Sequence, residues 1–343
     1  MTPSAQTPAK LGFRFPAEWR PHAATHMGWP FDEAYWEGQL EPARADFARL
    51  VATIARFEPV LLACADAESE ADARERLGGA KVTLYRLPID DVGLRDSGPL
   101  FVQTVARHVA ATDWRFNAWG GKFRFERDRD VARLVSEALG VRRFAVPVMM
   151  EGGALEISGA GVCLTTRQCL LNPNRNPDLS QREIEAYLRE YLGVTGFIWL
   201  GEGLEGDRTD GHIDTITRWT DDETILTSVC EDETDPNYKP MRENLELLRG
   251  LGKYRILELP LAHKRLDLGD ERLPLTYANF YLGNGFAVVP LYDDPNDERA
   301  LHILRGALPG REVVGLPSLG LITGGGSFHC VTQQQPLGPI LEP

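Results

Sequence analysis

The 343-residue sequence is poor in cysteine: Cys64, Cys163, Cys169, Cys230 and Cys330 are an odd and sparse set. That excludes a disulfide scaffold. No cysteine forms a CxxC or pairs with an HxxxH, so a structural metal site has no framework and neither metal nor cofactor is expected. Apolar runs of about 18 residues are missing too, so no membrane-spanning segment is expected. The opening MTPSAQTPAK lacks a basic head followed by an apolar stretch, which argues against a signal peptide and for a reducing, cytoplasmic setting. Basic charge is in deficit: 37 Lys and Arg stand against 50 Asp and Glu, for a formal charge of −13. Nucleic acid and anionic lipid select basic patches, so neither is an expected partner. A cationic small molecule fits this balance.

What is present is a large apolar fraction, 43% of residues, and a repeat. Five times an amphipathic helical pattern runs into Leu-Gly or Leu-Pro-Gly and then a strand pattern. The units are ESEADARERLGGAKVTLYRL, DRDVARLVSEALGVRRFAVPV, SQREIEAYLREYLGVTGFIWL, NYKPMRENLELLRGLGKYRILEL and NDERALHILRGALPGREVVGL. In the third, Ile184, Tyr187, Leu188 and Tyr191 share a helical face, and Ser180 with Glu183 makes a capping box. The turn glycines Gly78, Gly140, Gly193, Gly252 and Gly310 lie 62, 53, 59 and 58 residues apart. GVCLTT, HIDTITRW and ETILTSV read as further strands, and NFYLGNGFAVVPLY as a hairpin turning at Asn284-Gly285. A helix over residues 41–57 precedes the first unit. So even a period implies five stacked supersecondary units, a single α/β propeller-like ring of ββαβ units rather than two domains. Residues 1–11 are expected to be a disordered tail.

Chemistry-bearing residues follow four of the five repeat strands. IDDVGLRDSGP carries Asp96, EGG carries Glu151, GEGLEGDRTDGHIDT carries His212 and Asp214, and GGGSFHC carries Cys330. In a ring these strand ends converge, bringing one thiol, one imidazole and three carboxylates to one mouth. On a regular strand His212 and Asp214 would share a face. His329 is read as structural, pointing away from the thiol, and the other four cysteines as core filler. Attack on a guanidinium carbon needs this set. Carboxylates grip the cation with paired charge-assisted hydrogen bonds, a thiolate attacks, and a histidine manages the protons of ammonia and water. A protease-like Cys-His-Asp arrangement uses fewer acids.

The motifs MGWP, LRDSGP, WRFNAWGGK, EGG, LTTRQCLLNPNRNP, GHIDT and GGGSFHCVTQQQP appear in this order between residues 27 and 336. On them the chain resembles the agmatine deiminase and bacterial peptidylarginine deiminase family over residues 12–337. The resemblance implies the pentein fold, a five-bladed α/β propeller, and hydrolysis of agmatine to N-carbamoylputrescine and ammonia in putrescine synthesis. It implies Cys330 as nucleophile, His212 as general acid and base, Asp96 and Asp214 as guanidinium ligands, and Glu151 as an orienting group. Arg208, Trp119 and Gly326 become substrate-binding candidates, and a homodimer is implied by analogy. Two positions depart from agmatine-active members: Gly93 stands where Trp is usual, and Arg208 where several have an acid. An arginine or peptidylarginine deiminase, where Arg208 meets a carboxylate, an amidinotransferase, and a non-catalytic binding protein of the same fold are the alternatives.

Overall fold

Hydrophobic strands that alternate with amphipathic helices are predisposed to βαβ crossovers, and the described residues build six of them within five repeated sheets. The computed structural model describes residues 6–343. Four sheets have three strands: Leu100–Gln103, Val109–Arg115 and Arg143–Met149; Glu156–Ile157, Val162–Thr166 and Gly196–Leu200; Thr217–Trp219, Thr224–Val229 and Arg255–Pro260; Tyr281–Gly283, Phe286–Leu291 and Glu312–Pro317. In each, the first pair is antiparallel and the second parallel. The parallel pairs are joined by helices Val131–Leu139, Gln181–Leu192, Tyr238–Gly250 and Asp297–Ala307.

Besides the small hairpin of Asp267–Leu268 and Glu271–Arg272, a four-stranded sheet repeats the pattern with a difference that joins the chain's two ends. Its antiparallel partner is the C-terminal strand Gln333–Pro336, which pairs with His22–Gly28 near the N-terminus, His26 opposite Gln333. Val60–Cys64 and Val82–Arg86 continue it in parallel across helices Leu40–Ile54 and Ala67–Leu77. Chain closure therefore places residues 324–332 just before a strand that is locked into the first unit.

All five turn glycines adopt positive φ, between +55° and +81°, which side chains with a Cβ resist. The capping box at Ser180 and Glu183 forms, with Glu183 N donating to Ser180 Oγ at 3.4 Å and Ser180 N to Glu183 Oε2 at 2.8 Å. Ile184 and Leu188 are buried from the same helix, beside Cys163 and Cys169 in the core between second and third sheets. The hairpin turns at Asn284-Gly285, pairing Gly283 with Phe286.

Three expectations change. Of the tail over 1–11, residues 1–5 lie outside the described residues, while Pro8–Leu11 forms a 3₁₀ turn with Pro8 buried. The helix ahead of the first unit ends at Ile54, and Phe57 beyond it stacks on Phe286 at 4.5 Å between centroids. HIDTITRW is not one strand: Ile213–Thr215 is a 3₁₀ turn and only Thr217–Trp219 is extended.

Candidate functional site

The third strands of the units run into connections that carry the polar residues, several of them on short helical turns. Asp96 lies in the helical turn Leu94–Ser97, eight residues past the end of strand Val82–Arg86. Glu151 follows Arg143–Met149 as the residue before the turn Gly152–Ala154. His212 and Asp214 flank Ile213 at the start of the turn that replaces the expected strand. Cys330 closes the glycine-rich segment ahead of Gln333–Pro336. The fourth unit also contributes: Asn279, nineteen residues past Pro260, donates from Nδ2 to Cys330 Sγ at 3.2 Å and accepts from Ser327 N and Cys330 N.

These residues meet. His212 Nδ1 lies 3.8 Å from Asp96 Oδ2 and 4.0 Å from Asp214 Oδ1, and its Nε2 lies 3.9 Å from Glu151 Oε2. Cys330 Sγ lies 3.8 Å from Asp214 Oδ2. All five are buried; Cys330 retains 8% exposure, toward the cavity it lines together with Asp96, Trp119, Gly326 and Arg208. Close approach depends on glycine. A Cβ on Gly153 would sit 2.6 Å from His212 Nδ1, and one on Gly152 would strike the Arg95 carbonyl at 2.1 Å. A Cβ on Gly326 would lie 2.8 Å from Cys330 Cβ and 2.9 Å from its sulfur.

Partners around the cluster divide the carboxylates by role. Asp96 accepts from Gly153 N at 2.8 Å and from Trp119 Nε1 at 2.9 Å. Glu151 accepts from Arg175 Nε at 2.6 Å. Asp214 Oδ2 lies 2.6 Å from His329 Nδ1, whose Nε2 lies 2.7 Å from Glu18 Oε2. His329 thus holds an acid that also borders the thiol. Glu151 Oε2, Asp214 Oδ1 and both ring nitrogens of His212 are buried without a hydrogen-bond partner among the described residues. Such atoms are costly in a native interior, about 1–3 kcal/mol each, unless a ligand completes them.

Electrostatics follows from that arrangement. Burial pushes Asp96 up to about 6, helped by Asp214 and Glu151 and opposed by His212. For Glu151 burial is outweighed by His212 and Arg175, and for Asp214 by His329 and His212, so both carboxyls sit below the usual range. Burial disfavours charge on His212, but Asp96, Cys169 and Glu151 outweigh it and raise its pKa well above the ordinary value. Burial, then Asp214 and Asp96, raise the Cys330 thiol well above its ordinary value. The resting site is therefore an imidazolium, a protonated thiol and carboxylates left partly uncompensated, a receptor for a cation.

Of the three peripheral candidates, Trp119 and Gly326 touch the cluster and Arg208 stands at the cavity wall. Trp119 and Ala118 hold left-handed backbone, φ +55° and +49°, rare for residues with a Cβ. Arg208 Nε donates to Glu271 Oε2 at 2.8 Å and its guanidinium lies over the Phe123 ring at 5.8 Å. Cys169 was read as filler; it is wholly buried, and its sulfur lies within 4.8 Å of a ring nitrogen of His212 and a carboxylate oxygen of Glu151. Asn279 and Glu18 escaped sequence reasoning because nothing local marks them, whereas Cys169 and Arg175 lie within LTTRQCLLNPNRNP, which shows no role for either on its own. The neighbours of His329 in sequence, Phe328 and Cys330, did not disclose that its partner is 115 residues away.

The family model for Porphyromonas-type peptidyl-arginine deiminase matches residues 14–336. The chain belongs to this family. It is 38% identical to agmatine deiminase of Ectopseudomonas mendocina over 98% of this chain and 99% of that protein. Among solved structures, agmatine deiminase of Enterococcus faecalis superposes with a TM-score of 0.92 at 29% identity, covering 97% of this chain and 98% of that one. The C. jejuni agmatine deiminase with substrate bound gives 0.90 at 32%, covering 95% and 97%. A dimethylarginine dimethylaminohydrolase, 15% identical with a TM-score of 0.52, shares the fold alone, covering 91% of this chain and 99% of that one. The family's fold is the pentein, and the five repeated sheets are its architecture here.

Proposed function

We propose that this family member is an agmatine deiminase: it hydrolyses agmatine to N-carbamoylputrescine and ammonia through a covalent adduct on Cys330, a step of putrescine synthesis. The observation that supports the residue roles best is the ring of unsatisfied acceptors, Glu151 Oε2 and Asp214 Oδ1, around the imidazole of His212 and close to one thiol. A guanidinium is a flat cation that is all donors, and carboxylates match it in pairs.

Asp96 and Asp214 would bind the guanidinium nitrogens and hold its carbon against Cys330 Sγ. The bound cation offsets the carboxylates that hold the thiol protonated, so binding favours the thiolate and releases the thiol proton to solvent. Attack forms the C–S bond and moves an electron pair onto a guanidinium nitrogen. His212, kept protonated by its acids, gives its proton to that nitrogen, and ammonia leaves. The thiouronium that remains is planar and cationic, and stays on the same carboxylates. Now neutral, His212 takes a proton from water. Hydroxide adds to the carbon, the C–S bond breaks as the hydroxyl proton passes to the departing sulfur, and the ureido product is released with the thiol restored beside protonated His212. Glu151, tied to Arg175, would keep the ring turned toward the reacting nitrogen.

Nothing in the chemistry asks for a metal or cofactor. All five cysteines are unpaired, and a nucleophile that must stay reduced fits the cytoplasm. The pairing of Arg208 with Glu271 removes the reason to give that arginine a substrate carboxylate. The test is ammonia release from agmatine, arginine and a blocked arginyl peptide under identical conditions. Turnover of agmatine well above the other two is expected; turnover of the peptide alone rejects the substrate assignment.

A further inference from the structure

The cavity that opens onto Cys330 has a second charged feature on its wall, Asp91, which the reaction above does not use. Asp91 is 7% exposed. Its Oδ1 accepts from Gly93 N at 2.9 Å, and its Oδ2 accepts from the Tyr35 hydroxyl. No Lys, Arg or His among the described residues forms an ion pair with it, although most buried carboxylates of this chain have one. A carboxylate buried without a counter-ion is costly and is completed by a cation.

Its surroundings suit an ammonium. Tyr35, Trp36, Trp119 and Phe123 line the same cavity, with the Phe123 ring 5.9 Å from Tyr35 and 5.7 Å from Trp119. Aromatic faces attract organic cations. The Trp119 indole links the two ends of the space. Its Nε1 donates to Asp96 at 2.9 Å. Its six-membered ring lies 3.5 Å from where a Cβ on Gly93 would stand, a point itself 3.6 Å from Asp91 Oδ1. With no side chain at Gly93, nothing from that residue covers the carboxylate.

We propose that Asp91 is the specificity-determining residue of this pocket, receiving the distal ammonium of the substrate while Asp96 and Asp214 hold the guanidinium at the other end of the Trp119 ring. This deepens the deiminase reading and rests on it. A dication such as agmatine satisfies both ends. Free arginine brings an α-carboxylate to the same end and is repelled. Arg208, a cation on the same wall, is paired with Glu271, which offsets its repulsion of the ammonium.

The test compares agmatine with n-pentylguanidine, which keeps the guanidinium and chain length but ends in a methyl group. In the unsubstituted enzyme kcat/KM for agmatine should exceed that for n-pentylguanidine by at least about tenfold, the worth of a charge-assisted bond. Asp91→Asn should collapse that ratio by about the same factor, chiefly through KM for agmatine. Asp91→Glu should restore part of it, and Tyr35→Phe should lower it in the same direction if Asp91→Asn fails to fold. A ratio near one in the unsubstituted enzyme, or one unmoved by both Asp91→Asn and Tyr35→Phe, overturns the assignment of Asp91 and leaves the deiminase reading standing. Turnover of neither compound overturns both.

Discussion

His329 Nδ1 lies 2.6 Å from Asp214 Oδ2, and its other nitrogen lies 2.7 Å from Glu18. The imidazole is thus held between two buried carboxylates, one of which, Asp214, also lies 3.8 Å from the sulfur of its neighbour Cys330. Glu18 is itself tied to Arg218 at 2.7 Å, so a chain of charges backs the site from below. One consequence is that Asp214 stays ionised although burial works against it.

Replacing His329 by Gln should remove most of that support. Without His329 to oppose its burial, Asp214 should rise past Asp96 and set the acid limb of the kcat/KM profile for agmatine in its place, moving the limb above pH 6 with an activity loss of about tenfold or more at neutral pH. An unshifted acid limb together with lost activity would mark His329 as a packing residue only.

The acid limb of the unsubstituted enzyme is itself predictable. Asp96 is raised to about 6, and only the ionised carboxylate attracts a guanidinium. As pH falls through 6 the group gains its proton and kcat/KM should drop; as pH rises through 6 it should recover. Asp96→Asn, measured in the same way, should abolish binding rather than displace the limb.

Cys330 is expected to carry the covalent step. Cys330→Ser should fold and lose activity by several orders of magnitude, the scale of a missing nucleophile. Cys163→Ser should keep most of it, because Cys163 lies in the core between sheets. Mass spectrometry of a quenched reaction should find the amidino group on the peptide containing Cys330; finding it elsewhere refutes the assignment.

Without substrate the thiol should be reluctant to ionise. Burial, Asp214 and Asp96 raise it well above its ordinary value, so iodoacetamide inactivation should keep accelerating above pH 9. Saturating a Cys330-accessible site with a slow guanidine substrate analogue should move the titration down. A preformed thiolate, titrating below about 8.5, contradicts activation by the substrate.

Gly326→Ala tests the tightness of the loop over the nucleophile. Its methyl would lie within 2.9 Å of Cys330 Sγ, closer than real contacts allow, so one of the two must move. The expected result is a fall in kcat of about 100-fold, of the kind that follows displacement of a reacting atom by about 1 Å. Thermal stability should change little. Equal kcat would show that the loop yields without disturbing the sulfur.

Much of the architecture is legible in the linear order of residues. Helix periodicity, capping at Ser180 and the glycines that end each helix are local properties, decided within a few residues by backbone sterics and side-chain spacing. Hence the five units, the turn glycines and the positions of Asp96, Glu151, His212, Asp214 and Cys330 after their strands could be read before any coordinates. The local shape of GHIDTI could not. Its alternation suited a strand, but tertiary packing bends it into a 3₁₀ turn in which Asp214 faces His329 and Cys330. Partners far apart in sequence were decided by the fold alone. Asn279 reaches Cys330 across 51 residues, and Glu18 reaches His329 across 311. Arg208 is diverted to Glu271, and Asp91 on the same cavity wall has no ion-pair partner among the described residues. Residue type and spacing set which groups arrive at the end of each strand. Which two of them touch depends on how the strand ends converge and on which charges are left without a partner, and that is settled only by long-range packing.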